Sequence, residues 1–284
     1  MNRIQPLRAY FGHHKCASTW ISLILQLVCD ELQLTYKSAH APEVFEYDLN
    51  RYLNENHIDF FSYTNANIKH VKKIDNFLGF HVIRDPRDII VSGYYSHLYS
   101  HPIRGWLALV DHRNKLKELS KEDGLLLEME FVRDRFEDLY NWDYTQKNVL
   151  EMKMEELIRS PYNSILEAMT FLEMVDDSPR IKHSIKNLLI TVLNRINAKT
   201  GGWIPYRIKR TKIPAERLLG HIFQKRFSKL SKGRDRGQED TKSHYRKGIS
   251  GDWVNHFSQE HIRFFKEEYN DLLIKLGYEK TSAW

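Results

Sequence analysis

The sequence is short of cysteine and has no long apolar run. Its 284 residues include two cysteines, Cys16 and Cys29, which rules out a disulfide framework and favours a reducing compartment. No apolar stretch approaches the roughly 18 residues that a membrane-spanning helix needs. Residues 1–6 also lack the apolar core of a signal peptide. We therefore expect a cytoplasmic protein without a membrane span.

Internal repeats and low-complexity segments are lacking as well. A hydrophobic fraction of 42% suits a globular core, and the length suits one large domain or two small ones. The formal net charge is +6. This charge favours an anionic partner without saying which one.

Short apolar stretches alternate with helical patterns along the chain. Strands are predicted at residues 7–11, 60–64, 77–83 and 149–154, and helices at 18–34, after 86, at 164–172 and at 257–276. Such alternation predicts an α/β fold with a central parallel sheet flanked by helices. In such folds ligands bind at the carboxyl ends of the strands.

The turn after the first predicted strand has the features of an anion site. Its sequence from residue 12 to 19 is Gly-His-His-Lys-Cys-Ala-Ser-Thr, and the amides of the following helix would be unpaired there. Lys15 adds a positive charge. A Walker A loop has its lysine directly before Ser or Thr, whereas Lys15 comes three residues before Ser18. The spacing therefore argues against a magnesium-dependent NTPase.

Two later segments also suit a phosphate. Arg84 ends the third predicted strand, and Ser92 lies eight residues on in the next helix, so a guanidinium fork and a hydroxyl could share one phosphate. Near the C-terminus, Arg246 and Lys247 are followed at once by Gly248, which would let the backbone approach an anion closely.

Together the three segments resemble the sulfotransferases that use 3′-phosphoadenosine 5′-phosphosulfate (PAPS). Residues 14–20 look like that family's Pro-Lys-Ser-Gly-Thr-Thr-Trp loop, and residues 84–95 resemble its 3′-phosphate segment. Residues 246–253 match its C-terminal Arg-Lys-Gly signature, and Phe227 is similar to the aromatic residue that covers the adenine. The resemblance implies one P-loop-type, sulfotransferase-like domain over 1–284, with a helical insertion at about 96–144 and a basic lid-like segment at about 196–242.

The resemblance also implies a set of donor contacts. Lys15 would stabilise the phosphate that leaves as PAP (3′-phosphoadenosine 5′-phosphate), and no metal is expected. His13 and His14 are interpreted as loop or phosphate contacts rather than a zinc pair. The residues implied to bind PAPS are Lys15, Cys16, Ala17, Ser18, Thr19, Trp20, Arg84, Ser92, Phe227, Arg246, Lys247 and Gly248.

The general base does not follow from the resemblance to the cytosolic members. Those members carry a histidine where this chain has Asn65, and an amide does not accept a proton near neutral pH. Glu43 lies 28 positions after Lys15, and it resembles the base of heparan-type sulfotransferases. It is the favoured candidate, provided that burial raises its pKa. The other candidates are His40, His57 and Glu46.

The acceptor class stays open at this point. A small molecule, a lipid or a carbohydrate could each present a hydroxyl or an amine to the same sulfur. Nucleic acid is not expected, because the run from 207 to 247, with fourteen Lys or Arg against four Asp or Glu, lacks interleaved aromatic residues. A nucleotide kinase or NTPase, and a non-catalytic anion- or glycan-binding module, remain as alternatives. The oligomeric state is not specified.

Overall fold

Five parallel strands form the central sheet in a computed structural model that describes residues 5–176, 192–193 and 209–284. The strand order is β2-β3-β1-β4-β5, and every neighbouring pair is parallel. The strands are β1 (Leu7–Gly12), β2 (Tyr36–Ala39), β3 (Phe60–Tyr63), β4 (Phe77–Ile83) and β5 (Val149–Lys153). The predicted α/β class with a central parallel sheet is therefore confirmed.

Helices cover both faces of this sheet. In chain order they are α1 (Ser18–Leu32), α2 (Leu49–Glu55), α3 (Ile68–Val71), α4 (Pro86–Tyr95), α5 (Leu107–Glu118), α6 (Lys121–Phe131), α7 (Arg133–Asn141), α8 (Met154–Arg159), α9 (Pro161–Phe171), α10 (Ala215–Gln224), α11 (Phe227–Leu230) and α12 (Gln259–Lys275). A 3-10 turn spans Pro42–Phe45, a π-helical turn spans Ser96–Ser100, and a second 3-10 turn spans Asp252–Asn255. A two-stranded parallel sheet pairs β6 (Val175–Asp176) with β7 (Ile213–Pro214).

The core lies on both sides of β1 and β4, which are buried along most of their length. On one face the side chains of α1, α9 and α10 pack against the sheet around Tyr10 and Phe80, whose rings stack at 4.9 Å. On the other face Phe11 packs against Trp142 at 5.5 Å. Continuous burial on both faces explains why these strands read as apolar runs in the sequence.

The register of the sheet decides where the site lies. Gly12 at the end of β1 is paired with Val82 near the end of β4. The turn after β1 and the residues after β4 therefore leave the same edge of the sheet side by side. The strand predicted at 77–83 matches β4, whereas the helix predicted at 18–34 ends at Leu32 because Gln33 takes a left-handed φ of 59°.

The predicted helical insertion at 96–144 holds the π-helical turn, α5, α6 and α7, which pack against α4 and α12. Of the basic segment predicted at 196–242, residues 196–208 lie outside the described part of the chain; the rest holds β7, α10 and α11. The single-domain boundaries and the lid role stay predictions. Among the described residues, no helix has both the length and the apolar character needed to cross a membrane.

Candidate active site

The turn between β1 and α1, residues 13–17, is here called the anion loop. Lys15 and Ala17 adopt left-handed φ angles of 62° and 63°, which turn the chain sharply into the helix. Ala17 occupies the N-cap position of α1, and no side chain caps the helix there. The first amides of α1 are thus free of a side-chain partner and lie where an anion can accept from them.

Lys15 is partly exposed and interacts with the charges of Arg84, Glu128 and Arg246. Burial, and then the Arg84 guanidinium, lower its pKa to about 7, although the Glu128 carboxylate acts in the opposite direction. An ammonium held so far below its usual pKa gains most from a bound anion. This environment favours a phosphate or sulfate beside Lys15.

Arg84 joins the anion loop to the segment that follows β4. It is buried, with 5% of its surface exposed, and it donates to the carbonyl oxygen of Lys15 at 3.2 Å. Its second terminal nitrogen lies 3.8 Å from Asp88, and its buried Nε has no hydrogen-bond partner. Ser92 lies two turns further along α4 and is partly exposed. A buried guanidinium with an unused N–H is well suited to an oxyanion.

Asp88 ties the basic loop, residues 246–253, to the same place. Its carboxylate accepts from the backbone amides of Gly251 and Trp253 at 2.6 and 3.0 Å. These contacts and the bond from Arg84 to Lys15 bring the anion loop, the residues after β4 and the basic loop together.

The two cations of the basic loop are held by one carboxylate. Arg246 and Lys247 each donate to Asp252 at 2.6 Å. Burial alone would raise the pKa of Asp252, but these hydrogen bonds keep it well below its usual value. Arg246 also lies over the Tyr95 ring, 4.9 Å from its centroid. The pairs fix both cations beside α4.

An aromatic surface lies next to these cations. Gly248 has a φ of 68°, and a Cβ added to it would lie 2.6 Å from the Phe227 ring, so the glycine backbone packs directly on that ring. Trp20 at the start of α1 donates its indole N–H to the carbonyl of Lys225 at 2.9 Å. This bond holds the segment that leads to Phe227 beside the start of α1.

The four residues considered as the base lie on the surface. Glu43, Glu46, His40 and His57 are all exposed. Glu43 accepts from Tyr47 Oη at 2.8 Å, and its own backbone amide and that hydroxyl lower its pKa. The expected burial and raised pKa of Glu43 are thus contradicted, because the 3-10 turn that carries it points this side chain to solvent. Its role as base stays a prediction.

Sequence reasoning missed two buried hydrogen-bonded chains that begin in the anion loop. His13 bonds His81 at 2.8 Å, and His81 bonds Glu151 at 2.6 Å. His14 bonds His97 at 3.0 Å, and His97 Nδ1 lies 2.9 to 3.0 Å from the Glu128 carboxylate. The sequence sign of these chains is His81, a polar residue within the otherwise apolar strand β4.

A second imidazole completes the longer chain. His112 Nε2 lies 2.8 Å from Glu128 Oε2, so His97, His112 and Glu128 form one of two groups in the described residues with metal-type ligands close together. The other is Glu239, Asp252 and His256. In both groups the carboxylate already has nitrogen partners within hydrogen-bond distance.

Two solved structures resemble this fold over most of its length. The crystal structure of mouse sulfotransferase SULT7A1 complexed with PAP has a TM-score of 0.58 at 15% sequence identity, covering 96% of this chain and 86% of that one. Retinol dehydratase in complex with androsterone and inactive cofactor PAP has a TM-score of 0.51 at 15% identity, covering 95% and 82%. At such identities the likeness concerns the fold alone.

A comparison with curated proteins gives no match. The sequence of residues 11–194, however, matches the family model described as the sulfotransferase domain. This range contains the anion loop, Arg84 and Ser92, and it makes up more than half of the 284-residue chain. The protein therefore belongs to the sulfotransferase domain family.

Proposed function

We propose that the protein transfers a sulfuryl group from PAPS to the hydroxyl or amine of an acceptor. The observation that carries the proposal is that the anion loop, residues 84–92 and the basic loop lie together. The bond from Arg84 to the Lys15 carbonyl and the bonds from the basic loop to Asp88 hold two cationic sites next to one helix N-terminus. A donor with phosphates at both ends of a ribose needs two such sites.

The anion loop would bind the 5′ end of the donor. The amides of residues 16–19 and the hydroxyls of Ser18 and Thr19 would contact the 5′-phosphate and the sulfate. Lys15 would lie on the bridging oxygen, where negative charge develops as the sulfur–oxygen bond breaks. Contact with that charge would raise its lowered pKa and keep the ammonium protonated.

The other end of the donor would lie against α4 and the basic loop. Arg84, Ser92, Arg246 and Lys247 would bind the 3′-phosphate, with the Gly248 backbone close to it. The adenine would lie between Trp20 and the Phe227 ring. Two structural neighbours contain PAP according to their descriptions, and the same ligand in this chain is part of the proposal.

The acceptor would enter from the side of the helical insertion at 96–144. We propose a small molecule, a lipid or a carbohydrate, sulfated in the cytoplasm. The two cysteines, Cys16 and Cys29, are both buried and unpaired, which suits a reducing compartment.

A screen with sulfur-labelled PAPS and acceptors of several classes tests the proposal. With the wild-type protein, label should pass from PAPS to at least one acceptor. The rate of Lys15→Ala should be at least about 100-fold lower, which is the usual effect of removing one group that stabilises a developing oxyanion. Magnesium-dependent turnover of ATP would instead support a kinase or NTPase. Salt-sensitive binding of anionic glycans without any transfer would support a non-catalytic module.

A further inference from the structure

The chain from His14 to Glu128 is the most enclosed polar network beside the anion loop. His97 and Glu128 have no exposed surface, and His14 and His112 have 9% and 4%. Each link is a direct contact of 3.0 Å or less: His14 Nε2 to His97 Nε2, His97 Nδ1 to the Glu128 carboxylate, and His112 Nε2 to Glu128 Oε2. Most buried polar groups in native structures have hydrogen-bond partners, and a satisfied network of this kind holds its members in one arrangement.

We propose that His14 is the catalytic base of the transfer, and that His97 and Glu128 are positioning residues that fix its tautomer. The inference rests on the proposed sulfuryl transfer and deepens it. It names a base in the anion loop itself, directly beside Lys15.

The hydrogen bonds determine which nitrogen of His14 carries the lone pair. An ionised Glu128 accepts only, so His97 presents Nδ1–H to it. His97 Nε2 then has a lone pair and must accept from His14, which donates through Nε2–H. The remaining nitrogen of His14, Nδ1, is left with a lone pair and can take a proton.

Glu128 acts in its ionised form, which predominates above about pH 7. Two ring nitrogens approach its Oε2, and His97 Nδ1 also lies 2.9 Å from its buried Oε1. A Cβ added at Gly93 of α4 would lie 2.2 Å from Oε1, so the missing side chain at that position makes room for the carboxylate. Burial raises the pKa of Glu128, while the hydrogen bond with His112 and the charge of Lys15 lower it; the net result is a pKa raised to about 7.

The second hydrogen-bonded chain, which begins at His13, leaves His13 without a free lone pair. Burial raises the pKa of Glu151 to about 8, so its carboxyl is largely protonated at neutral pH. One oxygen accepts from Trp142 at 2.8 Å, and the other lies 2.6 Å from His81 Nδ1. A protonated Glu151 donates to His81, His81 donates to His13, and His13 keeps its proton on Nδ1. Of the two adjacent histidines, only His14 presents a lone pair.

The position of His14 suits an acceptor held by rings. Its imidazole stacks on His97 with centroids 5.0 Å apart, and it lies 5.5 Å from His101 and 5.9 Å from Trp106. These rings belong to the helical insertion, on the side proposed for the acceptor. The exposed Glu43, in contrast, is fixed to Tyr47 on the surface.

The sulfuryl transfer forms one bond and breaks one bond. The acceptor oxygen forms a bond to sulfur, and the bond between sulfur and the bridging oxygen breaks, with its electron pair going to the 5′-phosphate of PAP. The acceptor proton moves to Nδ1 of His14. Glu128, two hydrogen bonds away, offsets the charge of the imidazolium, and Lys15 offsets the charge on the leaving oxygen. His14 returns its proton to solvent once the sulfated product leaves.

His14→Gln tests the base directly, because the glutamine amide keeps a donor toward His97 but has no lone-pair nitrogen. With the acceptor that wild-type protein sulfates in the labelled-PAPS screen, kcat should fall by about 10²- to 10⁴-fold, the usual contribution of general base catalysis. The affinity for PAP, measured by calorimetry, should change by less than about threefold. His70→Gln on α3, outside both chains, is the control and should keep wild-type kcat. A kcat for His14→Gln within threefold of wild type overturns the proposal.

Glu128→Gln tests the positioning role through the pH profile. In the wild-type protein kcat should fall below about pH 7. Protonated Glu128 no longer requires a proton on His97 Nδ1, so His14 is no longer held with its proton on Nε2. The variant should be slower and should lack this acid limb, whereas a purely structural role would lower kcat without changing the profile. An unchanged acid limb in the variant refutes the assignment.

The titratable or charged groups that also face His14, His97 or Glu128 are His101, His112, Lys15, Arg113 and Arg135.

Nitrogen NMR of ¹⁵N-histidine-labelled wild-type protein gives an answer that needs neither an acceptor nor a folded Glu128 variant. His14, identified by comparison with His14→Gln, should be a neutral imidazole protonated on Nε2 at pH 7.5. Protonation on Nδ1 overturns the proposal. Failure of the wild-type protein to bind PAP would instead reject the proposed function, and the tautomer would still be measured.

Discussion

Binding of PAP should draw a proton from solvent at Lys15. In the ligand-free protein burial, Arg84 and Arg246 lower the pKa of Lys15 to about 7. A 5′-phosphate beside the ammonium would restore a pKa near the ordinary value of about 10.4. At pH 8 about one-tenth of free Lys15 is protonated, whereas nearly all of it is protonated in the complex, so about 0.9 proton is taken up.

The sign of the pH dependence follows from the raised pKa in the complex. The full affinity is present below the free pKa of about 7 and is lost as pH rises toward the pKa of the complex. Between pH 7 and pH 9 the dissociation constant for PAP should therefore rise by about 50-fold, roughly fivefold over the first pH unit and roughly ninefold over the second. The phosphates of PAP do not contribute above pH 8, because their second pKa is about 6.

Calorimetry at pH 8 in two buffers with different ionisation enthalpies measures this proton uptake. Lys15→Arg is the matched control, because arginine keeps the positive charge and does not titrate in this range. The control should show almost no uptake. An uptake below about 0.3 proton in the wild-type protein, or equal uptake in both proteins, would refute the account of Lys15.

Three further substitutions have defined outcomes. Gly248→Ala should weaken PAP binding by at least tenfold in calorimetry, because the new Cβ would meet the Phe227 ring and the positive φ would be strained; unchanged affinity would contradict the packing. Ala17→Gly should raise the free energy of unfolding in urea by about 1 kcal/mol, since glycine adopts the φ of 63° without strain; a loss of stability would speak against it. Glu43→Gln should leave kcat within about twofold, because this carboxylate is exposed and bonded to Tyr47; a drop of 100-fold would restore Glu43 as the base.

Local features of the site could be predicted because they depend on residues close together in the sequence. The anion loop follows a short apolar strand and precedes an apolar helix, and both elements were visible as hydrophobic patterns. The meeting of Arg84 with the anion loop followed from topology, since parallel strands bring their carboxyl ends to one edge. The role of Asp88 did not follow, because its partners lie more than 160 residues away.

The buried chains could not be predicted because they depend on tertiary packing. His97 and Glu128 lie 31 residues apart, on the π-helical turn and on α6, and nothing in their local sequence indicates that they meet. Gly93 gives no local sign that it accommodates a carboxylate. The choice of Glu43 rested on its spacing from Lys15 and on its resemblance to the base of heparan-type sulfotransferases, and neither tells whether a side chain is buried.

The central claim is that the anion loop, Arg84 and the basic loop form a site for a nucleotide with phosphates on both sides of the ribose. Calorimetric comparison of PAP with 5′-AMP, which lacks the 3′-phosphate, tests it most directly. Two charge-assisted contacts to that phosphate, at about 1.5–3 kcal/mol each, predict that PAP binds at least about 100-fold more tightly. Equal affinities for the two nucleotides would contradict the account.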